Sequence, residues 1–162
     1  MKIGITGHQQ LKDTTGWDWI RIEIDKLLTR TPKPLIGITS LAIGADQLFA
    51  EAVLQHGGTL NVIIPFDEYE FKFLEGHDRQ KYHHLLDRAV GVEFLQKMAS
   101  DEESYFESGK RVVDMADFLV AVWDGKPARG LGGTADVVKY AEQRGKRIIK
   151  LDPTVRIVTE RS

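Results

Sequence analysis

The stretch that decides the fold of this chain is Phe118-Leu119-Val120-Ala121-Val122-Trp123, followed by Asp124-Gly125-Lys126-Pro127-Ala128-Arg129 and Gly130-Leu131-Gly132-Gly133-Thr134. The first part has the apolar composition of a buried β-strand, and residues 134–144 have the spacing of a helix that ends before a glycine. The glycines between these two elements let backbone N–H groups approach an anion at the helix N-terminus. The stretch therefore predicts a strand, a phosphate-binding loop and a helix in direct succession.

Strand and helix patterns alternate along the rest of the chain. We expect strands at 2–6, 35–39, 60–64, 92–95 and 147–151, and helices at 17–28, 45–53, 78–90 and 105–115. The last residues, 153–162, form either a loose tail or an edge strand, with 155–158 as its weak core. No repeat or linker interrupts 1–162, so the prediction is one α/β domain. It is Rossmann-like, with an open, mostly parallel sheet and helices on both faces.

In such a sheet, ligands lie beyond the carboxyl ends of the strands, where the strand order reverses. This rule selects the loops after the first, second and fifth strands. The predicted ligand-binding residues are Thr6, Gly7, His8, Ser40, Gly44, Ala45, Asp46, Pro65, Asp124, Gly125, Arg129, Gly130, Gly132, Gly133 and Thr134. Asp46 or Asp124 would accept hydrogen bonds from ribose hydroxyls. Asp46 fits equally well as a first-turn carboxylate that complements a helix dipole.

The composition excludes several kinds of site. With 22 basic and 24 acidic residues the formal net charge is -2, which gives no strong nucleic-acid signal. The chain has no cysteine, and the adjacent His83 and His84 point apart on a helix, so we expect no metal site. The N-terminal apolar stretch is too short for a signal peptide, and no run approaches the roughly 18 apolar residues of a membrane span. We expect a cytoplasmic protein without membrane contact.

With these loops defined, the chain resembles the Smf/DprA–LOG superfamily, abbreviated SLOG. The matching residues are Ile5-Thr6-Gly7-His8, Ser40 with Gly44-Ala45-Asp46, Pro65, residues 117–125 and Gly130-Leu131-Gly132-Gly133-Thr134. The resemblance implies a Rossmann-like fold that binds a nucleotide or a nucleotide-derived small molecule, such as AMP, ADP-ribose or an NAD-like ligand, without a further cofactor. Some members cleave a base from a ribose phosphate, and others look like sensors of nucleotide signals in bacterial defence.

Residues 117–135 are also similar to the nucleoside 2-deoxyribosyltransferases. Both enzyme groups typically place a glutamate three residues after the threonine of this motif, where this chain has Val137. The phosphoribohydrolases also use an arginine on the preceding helix, and its place falls near Ser108, with Lys110 and Arg111 slightly displaced. Cleavage of an N-glycosidic bond needs a carboxylate or nucleophile beside the sugar. The resemblance therefore favours binding over turnover.

Two alternatives stay open from the sequence. The first is an N-glycosidase, phosphoribohydrolase or deoxyribosyltransferase in which Asp136, Asp46 or Glu107 replaces the missing glutamate. The second is a subunit that assembles with an effector partner. An apolar surface on the helix that carries Val112 and Met115, or a stable homodimer, would favour this second alternative.

Overall fold

Strands and helices alternate along the chain, as the sequence predicts. A computed structural model describes residues 1–127 and 131–162. The strands are β1 (Lys2–Gly7), β2 (Ile36–Thr39), β3 (Thr59–Ile64), β4 (Gly91–Phe94), β5 (Phe118–Val122), β6 (Arg147–Asp152) and β7 (Ile157–Arg161). The α-helices are α1 (Gly16–Arg30), α2 (Ala45–Gln55), α3 (His77–Asp87), α4 (Asp101–Met115) and α5 (Thr134–Gln143), with a 3-10 helix at Asp67–Lys72.

The strands of the described residues form one seven-stranded sheet in the order β4-β3-β2-β1-β5-β6-β7. The pairs from β4 through β6 are parallel, and β7 pairs with β6 in the antiparallel sense. The chain moves outward from β1 to β4 and then returns to the other side of β1 as β5. Thr6 lies opposite Ala121 and Gly7 lies opposite Val122 at the carboxyl ends of these two strands. The strand order therefore reverses between β1 and β5.

Helices cover both faces of this sheet. Successive side chains of a strand point to opposite faces, and β5 shows the division clearly. Val120 and Val122 belong to the core cluster that contains α1 and α2, whereas Leu119 and Ala121 belong to the cluster that contains α4 and α5. Since β5 is buried on both faces, its sequence is a continuous apolar run rather than an alternating one. The predicted Rossmann-like α/β class is confirmed.

The structure corrects several predicted bounds. Helix α4 begins at Asp101, earlier than the predicted residue 105, because the Ser100 hydroxyl caps it by accepting a 3.1 Å hydrogen bond from the Glu103 N–H. Strand β7 begins at Ile157 because the Asp152 side chain first accepts a 3.0 Å hydrogen bond from the Thr154 N–H and forms a turn. The chain end is thus an edge strand and not a loose tail.

The apolar face of α4 is used inside the chain. Val112 is only 2% exposed, and Met115 packs against the same core cluster. This helix therefore does not offer the exposed apolar surface that an effector partner would need at Val112. Within residues 1–127 and 131–162, no helix combines the length and the apolar character that crossing a membrane requires.

Candidate functional site

The loops after β1 and β2 are in direct contact at the carboxyl edge of the sheet. The Ala45 N–H donates a hydrogen bond to the His8 carbonyl oxygen over 3.1 Å. Gly44 has φ +85°, and a Cβ at this position would lie 2.6 Å from the same carbonyl oxygen. A residue with a side chain would therefore separate the two loops. The predicted residues Gly7, His8, Gly44 and Ala45 form one continuous wall, in which Gly7 approaches the Ala45 side chain closely.

His8 also joins the β1 loop to the β5 loop across the point where the strand order reverses. The Asp124 N–H donates a hydrogen bond to Nε2 of His8 over 3.2 Å, and one Asp124 carboxylate oxygen lies 3.4 Å from that nitrogen. The two side chains are 28% and 20% exposed, so both remain accessible to a ligand.

The turn after Asp124 is held by a short series of hydrogen bonds. The Lys126 N–H donates to the Asp124 carboxylate at 3.0 Å, and the Trp123 indole N–H donates to the Lys126 carbonyl oxygen at 2.8 Å. Burial raises the pKa of the Asp124 carboxyl, but the bond from Lys126 and the interaction with His8 outweigh it, so the net shift is downward. Gly125 has φ +83° and lies beside Lys150. The contact of the Trp123 indole with this turn was not predicted, although a tryptophan directly after an apolar strand indicates that its N–H needs a partner near the strand end.

Asp46 lies beneath the second loop rather than on its surface. The carboxylate is 7% exposed and accepts 3.1 Å hydrogen bonds from the Thr39 hydroxyl and the Ser40 N–H. Burial raises the pKa of Asp46 to about 6, although its hydrogen bonds lower it. These contacts belong to the loop itself and match the helix-start interpretation of Asp46. Its contact with a ribose stays a prediction.

The described part of the glycine-rich loop rests on the first turns of α4. Gly132 has φ +86°, and a Cβ there would lie 2.5 Å from the Glu102 carbonyl oxygen and 3.1 Å from the Phe106 nitrogen. The Gly132 N–H donates a 2.9 Å hydrogen bond to the Asp136 carboxylate. Gly133 is the N-cap of α5, and Thr134 is the first residue of the helix. The contact with α4 was not visible in the sequence, because it joins residues about 30 positions apart.

One predicted ligand residue lies apart from this arrangement. Pro65 is buried at the end of β3, which is separated from β1 by β2 in the sheet. Arg129 and Gly130 lie outside the residues that the structure describes. Their predicted role at the ligand therefore stays a prediction.

The position of the expected catalytic glutamate is part of a packed helix–helix contact. Val137 is 3% exposed, and one of its methyl groups lies 2.6 Å from where a Cβ of Gly109 would be. Asp136, one residue earlier, is held by Gly132. The space between α4 and α5 at this level is thus filled by aliphatic side chain and helix backbone.

The polar residues of α4 have partners away from the carboxyl edge. Lys110 pairs with Glu107 and lies 4.9 Å from the centre of the Phe106 ring. Arg111 pairs with Glu93 of β4 at 3.0 Å. The hydroxyl of the buried Ser108 donates to a carbonyl oxygen of its own helix at 2.9 Å. The side chains of Ser108, Lys110 and Arg111 thus have partners on α4 or β4, and the arginine role that the resemblance implied near Ser108 stays a prediction.

A cavity of about 300 Å³ lies elsewhere, between α1, β6 and β7. Its apolar lining includes Leu27, Phe118, Ile149, Leu151 and Val158. None of the predicted ligand residues that the structure describes lines this cavity. Across 1–127 and 131–162, no group of three or more His, Asp or Glu side chains is arranged to hold a metal ion.

Comparison with known proteins finds similar folds but no similar sequences. No protein-family model and no curated protein matches the chain. Among solved structures, DNA processing protein A (DprA) from Streptococcus pneumoniae matches 93% of the chain with a TM-score of 0.65 and 14% identity. DprA from Helicobacter pylori matches 94% with a TM-score of 0.66 and 14% identity. The Chlamydomonas Moco carrier protein matches 95% with a TM-score of 0.54 and 18% identity.

The chain shares the Rossmann-like fold of these solved structures. The structural neighbours confirm the resemblance that the sequence motifs carried, at the level of the fold. The chain spans 50% of the Streptococcus pneumoniae DprA chain, 65% of the Helicobacter pylori one and 78% of the Moco carrier protein. The shared fold therefore corresponds to about half to two thirds of a DprA chain.

We expect the free energy of unfolding to depend on pH through Asp46. The pKa of this carboxyl is about 6 in the folded chain, against an ordinary value of 3.8. Because folding favours the neutral carboxyl, Asp46 stabilises the folded chain fully below pH 3.8, and this stabilisation is lost as the pH rises through about 6. The total change in the free energy of unfolding is roughly 3 kcal/mol. Asp46→Asn stays neutral, so its stability relative to wild type should rise across this window, as measured by urea unfolding at a series of pH values.

Asp101→Asn is the matched control for Asp46→Asn. A hydrogen bond from Lys72 lowers the pKa of Asp101, so its carboxylate form favours folding. The stability of this variant relative to wild type should therefore fall as the pH rises toward the ordinary value of 3.8 and stay level above it, unlike that of Asp46→Asn. Parallel pH profiles for Asp46→Asn and wild type would contradict the prediction.

Gly132→Ala should destabilise the chain more than Gly145→Ala. Both positions have positive φ, which costs an alanine about 1–2 kcal/mol. A Cβ at Gly145 has nothing within 4 Å, whereas a Cβ at Gly132 meets the backbone of α4 and should add roughly 1–3 kcal/mol of overpacking. Urea unfolding of the two variants measures the difference. Equal losses would show that the loop does not rest on α4.

Proposed function

We propose that this chain binds a nucleotide-derived small molecule at the carboxyl ends of β1 and β5 and does not cleave it. The observation that carries the proposal is the hydrogen bond between His8 and Asp124, which joins the two loops at the reversal of strand order. Ligands of open parallel sheets lie at this point. Both side chains are partly exposed there and offer polar groups to a ligand.

The N-terminus of α5 supports a phosphate group on that ligand. Gly133 and Thr134 begin the helix, where free N–H groups and the helix dipole favour an anion. The Gly132 N–H already donates to Asp136. The phosphate contacts are therefore assigned to the N–H groups of Gly133 and Thr134 and to the Thr134 hydroxyl.

The packing between α4 and α5 supports binding without turnover. Val137 is buried against Gly109, so the family's carboxylate position supplies no group that stabilises a cationic sugar. Asp46 is buried under its own loop, and Glu107 is paired with Lys110. Of the proposed substitutes, Asp136 is the nearest in sequence to the expected position, and its carboxylate is engaged by Gly132.

The structural neighbours are compatible with a binding role but do not select the ligand. One neighbour is named as a carrier protein for Moco, and the Helicobacter pylori DprA structure concerns the binding of single-stranded DNA. For this chain, the net charge of -2 favours a small ligand over a nucleic-acid strand. Fluorescence anisotropy with a labelled oligothymidine separates the two, and tight, salt-sensitive binding of the oligonucleotide would overturn the small-ligand proposal.

Isothermal titration with AMP, ADP, ADP-ribose, NAD and cyclic nucleotides tests the proposal directly. Thr134→Val keeps the shape of the side chain and removes one hydrogen bond to a charged phosphate. Such a bond is worth about 1.5–3 kcal/mol, so the dissociation constant of the tightest ligand should rise roughly 10- to 100-fold. Thr159→Val on the exposed strand β7 is the matched control and should leave the affinity unchanged.

Two results would count against this function. Absence of binding to every nucleotide in the panel would remove the phosphate site. Release of a free base from AMP or another nucleotide, followed by chromatography, would show turnover. If Asp136→Asn then abolished that release while the fold was kept, Asp136 would be the replacement for the missing glutamate.

A further inference from the structure

The sheet ends at β4 on an apolar edge. Val90, Val92 and Phe94 are 68%, 42% and 57% exposed. They are alternate residues, so their side chains lie on one face of the sheet. Val92 pairs with Val62, and Phe94 pairs with Ile64. Both partners belong to the core cluster that contains α1 and α2, so the exposed strip lies on the same face of the sheet as these two helices.

The opposite edge strand, β7, also exposes the apolar side chains of Ile157 and Val158, but it carries charged pairs that the apolar face of β4 lacks. On β7, Glu160 pairs with Arg147, and Arg161 pairs with Glu142 at 2.8 Å. Charged side chains on an edge strand discourage pairing with another chain. On β4, the Glu93 carboxylate points to the other face, where it meets Arg111 at 3.0 Å. The apolar face of β4 therefore carries no such protection among the described residues of the strand.

We infer that β4 pairs in the antiparallel sense with β4 of a second copy of this chain, about a two-fold axis at Val92. In this register Val92 faces Val92 of the second copy, and Val90 faces Phe94 of the second copy. Six apolar side chains then form one continuous strip on a single face. On the other face Glu93 lies opposite Gly91 of the second copy and remains beside its own Arg111.

The sequence of β4 selects this register over its neighbours. Residues directly opposite each other in an antiparallel pair share a face of the sheet. An axis midway between Val92 and Glu93 would set these two residues opposite each other, although their side chains lie on different faces, so this register does not fit the pleat. A shift of the axis to Glu93 would place two carboxylates directly opposite each other, which is unfavourable. The axis at Val92 avoids both problems and aligns every exposed apolar side chain with another one.

The interface is small and should be reversible. Strand β4 has four residues, with one more apolar side chain just before it. An interface of this size lies at the low end for specific association, well below about 1,200 Å² of total buried area. We therefore expect a dimer that dissociates on dilution, in which the two sheets join into one continuous sheet.

The chain has no cysteine, so single cysteines report the pairing directly. In Val92→Cys the two introduced thiols face each other across the axis, within the distance that a disulfide spans. Mild oxidation should produce a covalent dimer on a non-reducing gel. Val155→Cys, on the exposed turn before β7, is the control for random oxidation and should stay monomeric.

A mixed experiment checks the register. Val90→Cys alone should not crosslink, because the two copies of residue 90 lie four residues apart along the paired strands. A mixture of Val90→Cys with Phe94→Cys should crosslink as a heterodimer. Crosslinking of Val90→Cys alone at the level of Val92→Cys would contradict this register.

Sedimentation velocity of the unmodified chain supplies a measurement that needs no cysteine. Wild type should show a concentration-dependent dimer, and Phe94→Lys should shift it to monomer by placing charges in the apolar strip. Val155→Lys, at a similarly exposed apolar position, should sediment like wild type. A wild-type chain that stays monomeric at high concentration, or a dimer that persists in Phe94→Lys, would overturn the proposal.

Discussion

The parallel pairing of β1 with β5 is the constraint on which the rest of the structure depends. This pairing joins the half of the sheet that contains β1 to β4 to the half that contains β5 to β7, and β5 is buried on both faces. Because the chain runs outward from this pair in two directions, the loops after β1 and β5 meet without helices between them. The hydrogen bond between His8 and Asp124 is a consequence of this pairing. The candidate site thus lies at the centre of the sheet, at the reversal of strand order.

The contact between α4 and α5 fills the position where the resemblance implied a catalytic glutamate. Gly132 can rest on the α4 backbone because it has no side chain, and Val137 fills the space next to Gly109. Both contacts bring the two helices together where the resemblance implied a polar pair of catalytic residues. A buried glutamate at position 137 would need a partner to offset the loss of its hydration. The aliphatic contact between Val137 and Gly109 needs no such partner.

The two edges of the sheet follow different rules. On β7, the exposed apolar residues Ile157 and Val158 are accompanied by ion pairs on both faces, whereas the exposed valine and phenylalanine side chains of β4 share a face without an ion pair. The sequence pattern of β4 was predicted as a short strand, but it did not show that the strand lies at an edge. That position follows from the topology, which leaves the fourth strand without an outer neighbour. The proposed self-association at β4 and the proposed ligand site between β1 and β5 therefore involve different parts of the sheet.

Local patterns were sufficient to predict the order of the elements and the loops that carry glycine. Val120 and its neighbours predict a buried strand because both of their faces must avoid water. The first turn of α4 lies outside the hydrophobic period that predicts the helix from residue 105, and the acidic residues 101–103 are instead typical of a helix N-terminus. The turn at Asp152 likewise delays β7 without an apolar signal. The roles of the polar side chains were less predictable. Asp46 and Asp124 are both carboxylates that follow a strand, yet one is buried with a raised pKa and the other is partly exposed with a lowered pKa.

The sequence by itself determined the α/β class, the mostly parallel sheet and the SLOG resemblance, because hydrophobic period and glycine spacing act over a few residues. Only the tertiary structure decided that His8 reaches Asp124, that Gly132 rests on α4 and that Val137 closes against Gly109. Each of these contacts joins residues far apart in the chain. They form because the sheet order and the helix packing bring those residues together, and no local pattern encodes such distances.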